Sequence, residues 1–300
     1  MVEKIMPPLS AMVLCAGFGT RLRPLTDHIP KPLLPIGDRP AFHHIIEQLR
    51  SFGVGPIAMN THHRAEAFED KIPFEINVLH ETRILGTAGG VANAQGVLGR
   101  GDVLVWNGDM QLDVDLPGLL ARHAQAVRTL EAAATLLVAR RAAGQGTVGV
   151  SRVAAVARLR GERFSEEEAG GDYLGVMVLT ERLRERLPPE GCLVGDALLP
   201  WLRQQGRVGV AWHEGEWVDI GTPEQYLRAN LMWLKKRGIS SWVAPSAVMN
   251  PRVRLRECVV GEGSEVKGEG ELERCVVLAG AVMQAPAQRM IAMPLGVLAV

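Results

Sequence analysis

An apolar run over residues 11–15 empties into Ala16, Gly17, Phe18 and Gly19, and the loop that follows sets Arg21, Arg23 and Lys31 among prolines at 24, 30, 32 and 35. A buried strand ending in two glycines turns sharply and brings its backbone close to whatever lies beyond the strand's carboxyl end. Exposed amides at such a turn hold an anion, and cations fixed in a proline-stiffened loop strengthen that preference, so the expected ligand is phosphate. Neither common phosphate-loop pattern applies. Leu22 stands where the third glycine of the dinucleotide fingerprint would fall, and the run lacks the GK[ST] ending of a Walker loop. A strand with a glycine turn also occurs in α/β domains that bind no nucleotide; the cations and prolines single this one out.

The order GxGTRLxPLT, then PKPLLP, then a helix opening near Pro40 resembles the signature of the sugar-nucleotide pyrophosphorylases, the nucleotidyltransferases that act on sugar 1-phosphates, and within them the mannose-1-phosphate guanylyltransferases. LGTAGG at 85–90, NGD at 107–109 and GEWVDIGTPEQYLRAN at 215–230 continue the resemblance in the family's order over most of the chain. It implies a Rossmann-like three-layer α/β nucleotidyltransferase domain with a mostly parallel sheet over residues 1–238. A short left-handed hexapeptide-repeat β-helix with an apolar tail is expected over 239–300. It also implies roles. Ala16, Gly17, Gly19 and Thr20 would admit the nucleotide, with Gly86 and Thr87 beside its base. Arg21 would neutralise the triphosphate and departing pyrophosphate, and Lys31 would grip phosphate at the reacting end. Asn107 and Gly175 would meet the sugar, while Asp109 and Asp219 would hold Mg²⁺.

Three hundred residues with 47% hydrophobic content bury a large core and suit one big α/β domain with a small appendage. Lys and Arg total 33 and Asp and Glu total 33, so no global positive field gathers nucleic acid, and any phosphate affinity is local. Cysteines 15, 192, 258 and 275 match no zinc pattern and read as reduced core thiols. MVEKIMPPLS carries no apolar core of a leader, and no stretch approaches the ~18 apolar residues of a membrane span; a cytoplasmic protein is expected.

Beyond the signature loop, apolar spacing predicts a helix over 41–52, a strand over 57–60, a short helix from about Arg64 and a strand over 76–79. His62 and His63 are adjacent on an extended segment and point to opposite sides, with no third ligand at a zinc-like spacing. Glycines 86, 89 and 90 predict a second close-approach turn before a helix bearing Val91, Ala94 and Leu98. Glu81 precedes it. A carboxylate accepts from both the ring N–H and the amino group of guanine, whereas uracil offers one ring N–H, which leans toward GTP; the alternative is a solvated loop glutamate. Asp109 follows the strand 102–106 where an open sheet places ligands, and Mg²⁺ takes one or two carboxylates plus phosphates and water. Its alternative is a turn cap. Asp113 and Asp115 read as surface or capping groups before a helix over 116–127.

Strands are expected at 132–140 and 148–150, joined by a solvent-facing RRAAGQG loop. Many relatives carry VEKP next, its lysine holding the sugar phosphate; this chain has VARLRGERFSEEEAGG without a lysine, leaving Arg158, Arg160 and Arg163 as open substitutes. Glu166 to Glu168 read as a solvated turn. Gly175 matches the family's strand glycine that lets sugar lie against backbone. Helices are expected at 181–187 and 194–205 and a strand at 208–213. Asp219 lies in an apolar strand where a bare carboxylate is costly, Thr222 caps a helix with Pro223 at its first position, and 224–235 closes the domain. From Trp242 an aliphatic position recurs about every six residues, as in about two turns of a β-helix that needs a cap, the catalytic domain or a second subunit for cover.

The chemistry implied needs no general base. A sugar 1-phosphate is near-dianionic at neutral pH, since a phosphate second pKa lies near ~6, so catalysis consists of positioning and charge neutralisation for in-line attack on the α-phosphorus. Two rivals stand beside a guanylyltransferase: a uridylyl- or thymidylyltransferase with glucose, heptose or N-acetylmuramate phosphate, and a regulatory subunit that binds without turnover.

Overall fold

The computed structural model describes residues 9–73 and 75–300. MVEKIMPP, read above as carrying no leader, lies outside the described residues, as does Phe74. The chain forms two compact units: one runs up to Gly17 and resumes over Ile45–Trp217, and the other combines Phe18–His44 with Val218–Val300.

The first unit is built on a ten-stranded sheet. Ser10–Leu14 lies between Ile57–Thr61 and Val103–Asn107, parallel to both, and Asn77–His80 extends the parallel run beyond Ile57–Thr61. Strands flanked on both edges and covered on both faces read as unbroken apolar runs, which is why Ala11, Met12 and Val13 have no solvent exposure. On the other side Ala169–Leu179 pairs antiparallel with Val103–Asn107, Ala134–Arg141 and Val148–Val150. Its register slips between Tyr173 and Met177, and Gly175 takes φ +66° in that bulge. The core gathers Met12, Val91, Leu98, Val105, Leu136, Met177, Leu198 and Val210. Buried Trp106 donates its indole N–H to the Met110 carbonyl at 3.1 Å, so no donor is stranded.

Several local expectations change. The helix begins at Gly86 itself and runs Gly86–Asn93, so Gly89 and Gly90 sit inside it rather than in a turn. Packing decides this: a Cβ at Gly89 would lie 2.6 Å from the Pro189 carbonyl, and one at Gly90 2.8 Å from Asn60 Nδ2. The single helix expected at 194–205 is a π turn over Leu193–Leu198 followed by Leu199–Arg203. Pro200 has no N–H to give the preceding turn, and the widened turn accommodates it. The helix at 181–187 stops at Arg184. Asp115 caps Leu116–Leu130 by accepting from the Gly118 N–H. Arg140 and Arg141 of the RRAAGQG segment close the strand Ala134–Arg141 and are both exposed, Arg140 stacked over Trp212 at 4.1 Å and Arg141 paired with Asp172 at 2.7 Å.

The second unit centres on the helix Pro223–Arg237, capped by Thr222, whose hydroxyl accepts from the Gln225 N–H. Tyr226 Oη donates to the Pro35 carbonyl at 2.6 Å and Asn230 Oδ1 accepts from the Gly37 N–H at 2.9 Å, fastening the PKPLLPIG segment onto this helix. Gly37 is obligatory: at φ +63° its Cβ would fall 2.1 Å from the Trp233 ring. Leu22, Leu25, Leu34, Tyr226 and Trp233 share one core with Val259, Val276 and Ile291 of the C-terminal strands. Those strands stack in parallel, Trp242 beside Val259, Val259 beside Val276, and Val276 beside Ile291. The stack has four levels rather than about two turns, an arrangement consistent with a short β-helix. Met290–Met293, expected as part of a covering tail, is itself the fourth level, and Gly296–Ala299 folds back on it antiparallel. No helix among the described residues is long and apolar enough to cross a membrane.

Candidate active site

Four parallel strands end together in the first unit, and their ends line a cavity of about 220 Å³. Leu14 closes its strand, Asn60 lies near the end of the next, Asn107 closes a third, and Glu81 follows the fourth, as expected for a ligand at the carboxyl edge of an open sheet. Ala16, Gly17, Ile84, Gly86, Thr87 and Asp109 complete the wall. Seven residues expected from sequence therefore share one cavity: Ala16, Gly17, Glu81, Gly86, Thr87, Asn107 and Asp109.

A chain of hydrogen bonds holds its floor. Asn60 Oδ1 accepts from the Cys15 N–H at 2.8 Å, and Asn60 Nδ2 donates to Glu81 Oε1 at 2.7 Å. Glu81 Oε2 accepts from the Leu85 N–H at 3.0 Å, and the residue is only 3% exposed. Glu81 is thus no solvated loop glutamate; it ties Asn60 in the neighbouring strand to the turn at Leu85 that follows its own strand. Asn60 was not among the expected site residues. The available signal was a polar side chain at the end of a wholly buried strand, where an amide is kept only if both its ends are used. Gly108 of the NGD motif lets two strand ends close: its N–H donates to the Leu14 carbonyl at 2.9 Å, and a Cβ there would sit 2.6 Å from Cys15 Sγ. Burial, reinforced by the charge of Asp109, pushes the Cys15 thiol far up, so it is inert packing.

Gly86 and Thr87 reach the cavity because residues 191–193 hold them. The Ala88 N–H donates to the Gly191 carbonyl and the Gly191 N–H to the Leu85 carbonyl, both at 2.8 Å, and Thr87 Oγ1 accepts from the Leu193 N–H at 2.8 Å. A Cβ on Gly86, at φ +75°, would lie 2.3 Å from the Gly191 carbonyl. Gly175 adjoins Asn107 of the cavity wall: a Cβ there would meet Asn107 Nδ2 at 2.8 Å. Burial and then the charges of Cys192 and Asp109 push the Tyr173 phenol up, which puts that ring within electrostatic reach of both. Cys192 is half-buried rather than a core thiol.

In the second unit the signature loop folds around Gly19. At φ +65°, its Cβ would lie 2.9 Å from Thr26 Cγ2 and 3.2 Å from Lys31 Cβ, and its carbonyl accepts from Thr26 Oγ1 at 2.8 Å. Thr20 opens the short 3₁₀ turn that carries Arg21. Asp219 faces Lys31 Nζ at 3.6 Å and Arg21 Nη2 at 3.9 Å. Lys31 is nearly buried at 11% side-chain exposure, and Asp219 sits beside the Gly221 turn of DIGT. Both separations exceed hydrogen-bond length, so the carboxylate is held by charge rather than by a direct bond from either cation.

Among the described residues no group of three or more His, Cys, Asp or Glu side chains is placed to hold a metal. Magnesium needs less from a protein, one or two carboxylates beside phosphate oxygens and water, and Asp109 at a cavity wall and Asp219 between cations supply hard oxygen of that kind.

The arginines left open by the missing lysine separate. Arg158 Nε donates to Glu167 Oε2 at 2.9 Å, and its Nη atoms donate to the Gly146 and Gln145 carbonyls. The Glu167 side chain is only 5% exposed and also accepts from the Gly144 N–H, so the EEE run is a buried clamp at its centre rather than a solvated turn. Arg163 lies opposite Arg158 in the hairpin and lends its charge to the same glutamate. Arg160 Nη2 instead donates to Cys192 Sγ at 3.2 Å.

A family sequence profile described as nucleotidyl transferase matches residues 10–236. The chain is 27% identical over 248 residues to the mannose-1-phosphate guanylyltransferase catalytic subunit beta of Dictyostelium discoideum, a match spanning 75% of this chain and 65% of that protein. To the mannose-1-phosphate guanylyltransferase of Mycobacterium tuberculosis it is 29% identical over 304 residues, spanning 92% of this chain and 82% of that one. Among solved structures, HddC from Yersinia pseudotuberculosis, crystallised with GMP-PN, has the same fold, with a TM-score of 0.61 at 21% identity over 75% of this chain and 99% of that one.

Proposed function

Because the chain belongs to the nucleotidyl transferase family, we propose that it moves a nucleoside monophosphate from a triphosphate, GTP in the first place, to a sugar 1-phosphate such as mannose 1-phosphate, releasing pyrophosphate. The observation that carries this reading is the cavity at the carboxyl ends of four parallel strands, walled by Gly17, Glu81, Gly86, Thr87, Asn107 and Asp109. The relatives named for mannose 1-phosphate guanylyl transfer support the substrate pair.

Each residue then has a task. Ala16, Gly17, Gly19 and Thr20 bring main chain to the nucleotide, and Gly86 and Thr87 border its base. Glu81 spends two of roughly four lone pairs on Asn60 and Leu85; the rest are what a guanine ring N–H and amino group would take. Asn107 and Gly175 receive the sugar. Arg21 draws charge from the triphosphate and the leaving pyrophosphate, and Lys31 holds phosphate at the reacting end. Asp109 and Asp219 are the carboxylates assigned to Mg²⁺. Held by them, the ion would supply charge neutralisation to the reacting phosphates. The acceptor phosphate is already an anion, so no side chain needs to remove a proton.

Residues 1–238 are assigned to catalysis and 239–300 to cover and self-association, in a cytoplasmic enzyme. The lysine missing from VARLRGERF favours a second reading, a uridylyl- or thymidylyltransferase or a regulatory subunit. Pyrophosphate release with Mg²⁺, crossing GTP, UTP, dTTP, CTP and ATP against mannose, glucose, heptose and N-acetylmuramate 1-phosphates, separates them. Release with GTP and mannose 1-phosphate supports the first reading, release with another pair replaces it, and silence despite nucleotide binding favours a regulatory subunit.

A further inference from the structure

The cavity wall carries two carboxylates, Glu81 and Asp109, and no Lys or Arg. A sugar 1-phosphate arriving there brings nearly two negative charges, and a cation of this unit would add to the charge that Lys31 supplies. Arg158 and Arg163 serve Glu167, and Arg83 pairs with Glu190 at 3.3 Å. Arg160 is differently placed. It forms a two-residue hairpin with Gly161 between Val156–Leu159 and Glu162–Arg163, with Leu159 paired to Glu162 and φ of 48° and 84° at the two loop residues. Positive φ at both positions suits such a turn, but Asn, Asp or Gly holds the first position without the strain that a long side chain incurs.

The hairpin is anchored: Arg203 grips Glu162 with two bonds, Nε to Oε2 at 2.9 Å and Nη2 to Oε1 at 2.5 Å. From that tip the guanidinium reaches the thiol of Cys192, not a carboxylate. Cys192 lies between the two residues that hold Gly86 and Thr87 at the cavity, and Tyr173, two residues before Gly175, feels the charges of both Cys192 and Asp109. A thiol is a weak acceptor that a phosphate oxygen displaces readily.

Resting on the reading above, we propose that Arg160 is the cation that binds the phosphate of the sugar 1-phosphate, in place of the lysine this chain lacks. The test uses the whole protein and its Arg160→Asn, Arg160→Lys and Arg163→Asn variants. Calorimetric titration with mannose 1-phosphate and glucose 1-phosphate is run beside pyrophosphate-release kinetics. Arg160→Asn removes the cation yet suits a positive φ, so its melting temperature stays equal to or above that of the wild type. Its affinity and KM for sugar 1-phosphate weaken about tenfold or more, the worth of a charge-assisted bond, while KM for the triphosphate holds. Arg160→Lys recovers part of the loss, and Arg163→Asn loses none. Unchanged sugar-phosphate binding and KM in Arg160→Asn overturn the assignment while the transferase stands. A wild type that binds sugar 1-phosphate through Arg160 but never turns over keeps the assignment and removes the transferase. A wild type that binds neither sugar phosphate removes both.

Discussion

Replacing Glu81 by Gln isolates what that carboxylate does. The side chain is 3% exposed and accepts from Asn60 Nδ2 at 2.7 Å and from the Leu85 N–H at 3.0 Å. A glutamine of the same shape offers one acceptor oxygen; its NH₂ must face the other donor. One charge-assisted bond, worth about 1.5–3 kcal/mol, is lost and a buried donor is left facing a donor, adding about 1–3 kcal/mol, while the relief of an uncharged side chain in a buried site offsets part of both. The net cost is about 2–3 kcal/mol. At about 2–4 °C per kcal/mol for a unit of this size, the melting temperature falls by about 4–12 °C. Asn60 also holds the Cys15 N–H, so the loss reaches the entry to the glycine turn. Thermal unfolding at neutral pH measures the drop, and turnover well below the transition measures the preference for GTP over UTP, which narrows if the remaining lone pairs read guanine. An unchanged melting temperature would refute the structural reasoning; a full drop with GTP preference intact would leave Glu81 as scaffold only.

Three further outcomes follow from the same geometry. Asp109→Asn and Asp219→Asn each abolish turnover with melting shifted by only a few degrees, and activity retained in both would remove the two carboxylates from the cation's chemistry. Gly37→Ala places a Cβ 2.1 Å from the Trp233 ring at φ +63°, so it destabilises the second unit by more than about 2 kcal/mol in denaturant unfolding, the range of core overpacking with backbone strain. Glu167 is held below the ordinary carboxylate range, first by its hydrogen bond from Arg158 and then by the Gly144 N–H, against the opposing effect of burial. A depressed folded value adds stability above the unfolded value near ~4.3 and loses it as pH falls through the lower folded value, so the melting advantage of wild type over Glu167→Gln, present at pH ~7, shrinks below pH ~4.

How much of this was legible in the sequence varies with the range of the interaction. Ser10–Leu14, Ala41–Ser51 and the Thr222 cap are local matters of periodicity and capping, and the structure departs from the expected ends by a residue or two. Gly17 and Asp109 were legible because each follows a strand that is recognisable by itself, whereas Asn107 was expected only from the family resemblance. Glu167 was not: its burial depends on Arg158 and on Gly144, 23 residues away, while its neighbours in sequence look like any solvated acidic run. Gly89 and Gly90 read as turn residues because glycine is permissive, whereas what fixes them is the crowding of Pro189 and Asn60 against a helix. Asn60 escaped for the same reason, since its partners Cys15 and Glu81 lie 45 and 21 residues away, and Arg160 could not be told from Arg158 and Arg163 because its contact, Cys192, is 32 residues away.

The most direct test of nucleotidyl transfer uses GTP labelled at the α- or the γ-phosphate, with mannose 1-phosphate and Mg²⁺. The account predicts α-label in a sugar nucleotide and γ-label in pyrophosphate, in equal amounts and only when the sugar phosphate is present. Label from the γ-position on the sugar, or release of inorganic phosphate in place of pyrophosphate, would contradict attack at the α-phosphorus and with it the proposed reaction.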